Sequence, residues 1–182
     1  MYKSRIENKY KMIQSHILSD NRIEAFNLLS RSFNDEFRHP YKGNLYLWLE
    51  KYDSARFYLE SALQSEHHEM SVPRFQACLA LAYYETEDFE LAKEIISQLI
   101  EKSDKTTVGS PAFFTAWYYS WIGEVDSAFY WLEKAYGNNS PEFPWFKVDP
   151  AYNSLKDDPR YWDLYERTGH KAYDDYLASR DR

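Results

Sequence analysis

An internal repeat constrains the fold of this chain more than any other feature of its sequence. Three alanines, Ala55, Ala92 and Ala128, lie 37 and 36 residues apart (from 55 to 92 and from 92 to 128). A bulky aliphatic residue follows each alanine after four positions, a tyrosine precedes it by nine, and a small residue precedes it by twelve. Spacings of three and four place residues on one face of a helix, so each unit is predicted to be a helical hairpin. In the order just given, the matching residues are Leu59, Ile96 and Leu132; Tyr46, Tyr83 and Tyr119; and Gly43, Ala80 and Ala116.

The composition favours the same all-α interpretation. The 182 residues include only 5 glycines and 7 prolines, whereas the many turns of an all-β protein consume these residues. Aromatic residues make up 19% of the chain, a content that disordered chains lack. We therefore expect a packed protein built from helices.

Prolines and capping residues predict several helix boundaries. Pro73, Pro111 and Pro159 suit the first turn of a helix, where the missing amide hydrogen would be unpaired anyway. Ser110 and Asp158 directly precede two of these prolines, so each is predicted to cap its helix.

The second half of the chain adds a turn, a linker and a tail to this prediction. A tight turn is expected at Gly123, between two antiparallel helices of the most aromatic hairpin. The mostly polar residues 103–109 are expected to form a flexible linker, and residues 142–150 an extended segment. The last helices are expected at 151–156, at 159–168 and, as a frayed helix, at 171–179.

The repeated positions resemble those of the tetratricopeptide repeat, which has a small residue, a tyrosine, a turn, an alanine and a bulky apolar residue at these offsets. The likeness covers roughly residues 6 to 139. It implies a right-handed superhelical stack of antiparallel helical hairpins, with about three clear repeats. The expected single domain, 1–182, comprises a degenerate N-terminal hairpin at 1–35, repeats at 36–70, 73–104 and 109–141, and a C-terminal capping segment at 142–182.

The tail carries a second resemblance, at Lys147-Val148-Asp149-Pro150, Leu155, Asp158-Pro159-Arg160-Tyr161 and Leu164. These residues look like the end of the tetratricopeptide arrays of some bacterial adenylate cyclases, protein kinases and transcription regulators. The resemblance implies a bacterial protein whose tail caps the stack. No cyclase or kinase activity is carried over, because those activities lie outside the repeats.

The resemblance also implies a concave groove lined by the first helix of each hairpin. An aromatic groove of this kind would suit an extended peptide or an amphipathic helix. Alternatively, several of these aromatic residues pack between helices or against the tail, with residues 143–146 folding across the groove. The predicted groove residues are Phe37, Tyr41, Asn44, Trp48, Arg74, Cys78, Leu81, Tyr84, Glu85, Phe113, Phe114, Trp117 and Trp121.

The charge, hydropathy and cysteine content of the chain limit the classes of partner and the cellular compartment that we expect. The net charge is −7, from 29 acidic and 22 basic residues, and no dense basic patch occurs, so a nucleic-acid partner is not expected. No stretch approaches the roughly 18 apolar residues of a membrane span, so no membrane partner is expected either. Cys78 is the only cysteine and cannot form an intrachain disulfide, which agrees with a cytoplasmic location.

No set of residues in the sequence indicates catalysis. His67 and His68, between Glu66 and Glu69, are adjacent in a polar connector and are expected to be solvated rather than to bind a metal. The five glycines stand alone and form no phosphate loop. We therefore expect a non-enzymatic scaffold, without cofactor or metal, that binds a peptide or protein segment. The alternative is a self-assembling structural or regulatory protein that forms a homodimer through exposed aromatic residues.

Overall fold

All regular secondary structure in the described part of the chain is helical, which confirms the all-α prediction. Every helix in that part is too short or too polar to cross a lipid bilayer. The computed structural model describes residues 12–13, 15, 21–32, 39–64 and 72–180.

The chain divides into two compact units, Met1–Ile96 and Ser97–Arg182, and the division falls inside one helix. The single domain expected from the sequence stays a prediction. In the first unit the helices are α1 (Arg22–Ser32), α2 (His39–Trp48), α3 (Tyr52–Gln64), α4 (Pro73–Glu85) and the first half of α5 (Phe89–Lys105). In the second unit they are the rest of α5, α6 (Ser110–Trp121), α7 (Val125–Gly137), α8 (Pro159–Arg167) and α9 (His170–Arg180), with 3₁₀ helices at Phe143–Trp145 and Pro150–Leu155.

The repeat alanines lie in closely packed contacts between paired helices. Ala55, Ala92 and Ala128 are fully buried, α2 packs on α3, and α6 packs on α7. A Cβ atom added to Gly43 would lie 2.5 Å from Cγ of Leu59, so the backbone of α2 touches the side chains of α3. Helix axes come this close only where small residues line the contact, which explains the small residues of the repeat pattern.

The same turn closes all three matched hairpins. The turn residues Glu50, Glu87 and Gly123 have φ angles of 58°, 64° and 80°, the left-handed conformation that favours glycine. In each turn the next amide donates to the carbonyl of the repeat tyrosine five residues earlier, the bond of a Schellman motif. These bonds are Lys51 N to Tyr46 O at 2.9 Å, Asp88 N to Tyr83 O at 2.8 Å and Glu124 N to Tyr119 O at 2.9 Å. The predicted turn at Gly123 is confirmed, and it recurs at two glutamates.

Three predicted helix starts are confirmed and one predicted cap is wrong. Pro73, Pro111 and Pro159 lie in the first turns of α4, α6 and α8. The Asp158 carboxylate caps α8 by accepting a 2.9 Å bond from the Arg160 amide. Ser110 does not cap α6, because Gly109 flanks that helix and no side chain caps it. The Ser110 hydroxyl instead donates to Oε1 of Glu142 at 2.7 Å.

The linker and the tail are more ordered than predicted. Helix α5 continues to Lys105, and Ser103 within the expected linker is buried. The segment expected to be extended contains the Phe143–Trp145 3₁₀ helix. That turn places the rings of Phe143 and Phe146 6.1 Å apart on the same side, where both are buried. Burial of two aromatic rings three residues apart therefore outweighs the extended preference of the prolines.

The predicted N-terminal hairpin lies largely outside the described residues. In α1, Ala25 is buried and packs with Ile13, Leu45 and Leu49, as a repeat-like second helix would require. Ile23 on the same helix is exposed.

Candidate peptide-binding faces

The described groove residues of the first unit lie on two neighbouring helices, α2 and α4. The Tyr41 ring meets the Phe75 ring edge-on at 5.0 Å, and three residues further along the Asn44 amide donates to Sγ of Cys78 at 2.9 Å. Because these contacts follow the same order on both helices, α2 and α4 run side by side in the same direction.

Three of the predicted groove residues of this unit are buried. Asn44, Cys78 and Leu81 are at most 2% exposed, and the Asn44 to Cys78 hydrogen bond satisfies a polar group between α2 and α4. Asn44 and Cys78 therefore stabilise the contact between hairpins. They present no surface to a partner.

The remaining groove residues of the first unit are accessible in part. Tyr41, Trp48, Arg74 and Tyr84 are half-buried, and Glu85 is exposed. The Arg74 guanidinium lies over the Phe75 ring, 5.0 Å from its centre, and 5.9 Å from the centre of the Tyr41 ring. This cation–π geometry fixes the aromatic face at the start of α4. Phe37, the other predicted residue, lies outside the described residues.

An acidic cleft at the turns of the first unit was missed by the sequence analysis. It has a volume of about 410 Å³, lies between the α2–α3 and α4–α5 turns, and is lined by Glu50, Asp53, Glu85 and Glu87 among others. Although Glu85 keeps exposed surface, partial desolvation at the cleft, followed by the nearby charge of Glu50, raises the pKa of its carboxyl. The available signal was the repeat itself, which places Glu50 and Glu87 at equivalent turn positions.

In the second unit, the chain's own tail covers two of the predicted groove residues. Phe113 and Trp117 on α6 are only 1% and 3% exposed. The Phe113 ring meets the rings of Phe143 and Tyr152 edge-on at 5.5 and 5.6 Å. The Trp117 indole donates to Oδ2 of Asp149 at 3.1 Å. Phe113 and Trp117 therefore make contacts of the kind described by the alternative in which groove aromatic residues pack against the tail.

Polar contacts fix the tail to α6 at several points. The Glu142 carboxylate accepts from the hydroxyls of Ser110 at 2.7 Å and Ser140 at 2.6 Å. The buried Tyr152 hydroxyl donates to the Phe113 carbonyl at 3.4 Å. Burial strongly raises the pKa of Tyr152, so this phenol stays neutral over the ordinary pH range.

Two predicted groove residues of the second unit keep exposed surface. Phe114 is half-buried and Trp121, the last residue of α6, is 37% exposed. The Trp121 ring packs edge-on against the buried Trp117 at 5.9 Å, so the exposed indole is held in place by the core.

A second cleft, between α7 and the start of α8, offers no free charge. Its volume is about 520 Å³ and its lining includes Phe129, Tyr130 and Arg160. The Arg160 guanidinium lies 4.3 Å from the centre of the Phe129 ring and pairs with Asp126 at 2.9 Å and Asp158 at 2.8 Å. Hydrogen bonds to these two carboxylates raise the pKa of Arg160, and both carboxylates pair with its positive charge.

In the part of the chain that the structure describes, no three His, Cys, Asp or Glu side chains form a group that could hold a metal ion. The sequence around His67 and His68 lies outside that part. Comparison of the chain with protein-family models, with curated proteins and with solved structures gives no match. The repeat interpretation therefore depends on the register of the chain's own residues and on the geometry of its hairpins.

Proposed function

We propose that the chain is a non-enzymatic scaffold whose hairpins stack in the manner of the tetratricopeptide repeat and whose first helices bind a peptide or protein segment. One observation carries this proposal. In each matched hairpin, the residue seven positions before the repeat alanine ends the first helix and keeps accessible surface. These residues are Trp48, Glu85 and Trp121.

Two of these three positions hold tryptophan, the residue that most often dominates protein interfaces. Trp121 is exposed yet braced by Trp117, and Trp48 is half-buried. The Trp48 indole Nε1 is shielded from water and has no acceptor among the described residues. A rigid aromatic ring loses little conformational entropy when it binds, so these side chains are suited to contact an extended segment.

A peptide-display selection on the immobilised protein tests the proposal. Selected peptides are then measured by calorimetry against the wild type, Trp48→Ala and Trp121→Ala. Truncating an interface tryptophan costs about 2 kcal/mol or more, so binding should weaken at least about thirtyfold. Trp162→Ala is the matched control, because this tryptophan is 54% exposed but lies on α8, which is not the first helix of a matched hairpin. Equal affinities for all four proteins would reject these tryptophans as the binding residues.

Self-association is the second candidate function, because large aromatic side chains outside the proposed faces are also exposed. Tyr130, Trp162 and Tyr173 each expose more than half of their surface. Aromatic residues are enriched at protein interfaces relative to the rest of the surface, so exposed side chains of this kind suit such contacts. Light scattering over a concentration series separates the two functions, since a strict monomer at all concentrations excludes a homodimer.

The remaining features agree with action as a cytoplasmic binding protein. Cys78 is buried and accepts a hydrogen bond from Asn44, so the only thiol of the chain is shielded from oxidants. We propose that the protein acts without a cofactor.

A further inference from the structure

Helix α9 differs from the helices that precede it in the second unit. Helices α6, α7 and α8 each bury at least three side chains, whereas none of the eleven residues His170–Arg180 is buried. Gly169 joins α9 to α8 with a φ angle of +81°, a conformation that glycine adopts without strain. The helix therefore lies on the unit without entering its core.

Polar contacts hold α9 in place. The Asp174 carboxylate accepts hydrogen bonds from Nζ of Lys147 and from the hydroxyl of Tyr165. One turn earlier, Nε2–H of His170 donates to the carbonyl of Phe143 at 2.9 Å, and the imidazole ring stacks on Tyr165 at 5.0 Å. The Lys147 and Asp174 side chains are 40% and 38% exposed, so water and salt weaken their attraction.

An aromatic stack lies beneath these contacts. The Phe146 ring stacks on Tyr161 at 4.6 Å, and Tyr161 stacks on Tyr165 at 5.9 Å. The His170 ring lies 6.4 Å from Phe146, so the first turn of α9 covers this end of the stack. Loss of α9 would uncover aromatic surface beside the ammonium group of Lys147.

We propose that α9 is a strap that opens as one unit about Gly169 while α6, α7 and α8 stay folded, and that the closed strap covers aromatic surface of Phe146 and Tyr165 beside Lys147. An isolated helix of eleven residues is marginal in water, so detachment also melts it. Elements with few buried contacts open locally at far lower free energy than the core. Closure then depends on Asp174 and His170.

Hydrogen exchange of the full chain, followed by mass spectrometry, tests the strap. In the wild type, the α9 amides should exchange together, faster than those of α8 but slower than those of an unstructured peptide. Asp174→Asn removes the charged acceptor of two hydrogen bonds and should speed α9 exchange about tenfold while α8 stays unchanged. Tyr165→Phe removes one donor and keeps the ring, so about threefold is expected.

Asp175→Asn is the matched control. Asp175 pairs at 2.9 Å with Lys171 in the same helix and contacts neither Lys147 nor Tyr165 through a described bond. In Asp175→Asn, the exchange rate of the α9 amides should rise by less than about twofold. The strap is wrong if the α9 amides are as protected as those of α8, if they are unprotected in the wild type, or if Asp175→Asn matches Asp174→Asn.

Discussion

Replacement of Glu87 by glycine should stabilise the first unit. Glu87 adopts a φ angle of 64° in the α4–α5 turn, at the position that Gly123 occupies in the α6–α7 turn. A side chain with a Cβ atom is strained in this region, because the Cβ approaches its own carbonyl oxygen. The reverse change, Gly123→Ala, should destabilise the second unit by the same mechanism. A Cβ atom added to Gly123 would meet no atom within 4 Å, so no clash complicates that comparison.

The magnitude follows from two opposing effects. The left-handed conformation costs an L-residue about 1–2 kcal/mol. Glycine has more conformational freedom in the unfolded chain, which offsets about 0.4–1 kcal/mol of that gain. Glu87→Gly should therefore raise the free energy of unfolding by about 0.5–1 kcal/mol, and Gly123→Ala should lower it by a similar amount.

Urea unfolding monitored by circular dichroism measures both changes as shifts of the midpoint at constant slope. Glu87→Ala is the control, because it removes the carboxylate and keeps the Cβ atom. Its effect should stay within about 0.5 kcal/mol. A midpoint for Glu87→Gly at or below that of Glu87→Ala would refute the strain argument, since the conformation of the backbone would then carry no cost.

Three further predictions concern packing and pH. Gly43→Ala should destabilise the first unit by about 1–3 kcal/mol in urea unfolding, because the added Cβ would lie 2.5 Å from Cγ of Leu59. Ala128→Leu should cost about the same in the second unit, where Ala128 is fully buried, and a neutral result would place Ala128 outside the helix contact. Burial, followed by the charge of Tyr165, raises the pKa of Tyr161 to about 12. The phenol of the unfolded chain ionises at about pH 10, so the folded state keeps its proton to higher pH. The stability that is intact below about pH 10 therefore falls as the pH rises to about 12. Tyrosinate absorbance in a pH titration should show this late ionisation, and Tyr161→Phe should lower its amplitude by one phenol, while the buried Tyr152 still ionises late.

The sequence could predict those features that depend on local spacing. The buried positions of Ala55, Ala92 and Ala128 follow from helical periodicity, because residues three and four apart share a helix face. Pro73 and Asp158 marked helix starts for a similarly local reason. Each of these features depends on residues within one or two turns of the chain.

The contacts of Phe113 and Trp117 could not be predicted in the same way. Their burial depends on Phe143, Asp149 and Tyr152, which lie about thirty or more residues further along the chain. No periodic pattern links those residues to α6, since this part of the tail contains only two short 3₁₀ helices, Phe143–Trp145 and Pro150–Leu155. The sequence placed the two aromatic residues on the correct face of the helix, but it could not show what covers that face.

The repeat register separates packing from the proposed partner recognition along one face of the first helix. The position eleven residues before the repeat alanine holds Asn44, Leu81 and Trp117, and all three are buried. Asn44 hydrogen-bonds to the next hairpin and Trp117 to the tail, so in these two hairpins the position stabilises the contact with the element that follows. The position four residues later lies one turn further along, at the end of the helix, and keeps accessible surface in all three hairpins. Recognition of a partner should therefore depend on the residue at the helix end, and variation there should change the ligand without changing the stacking of the hairpins.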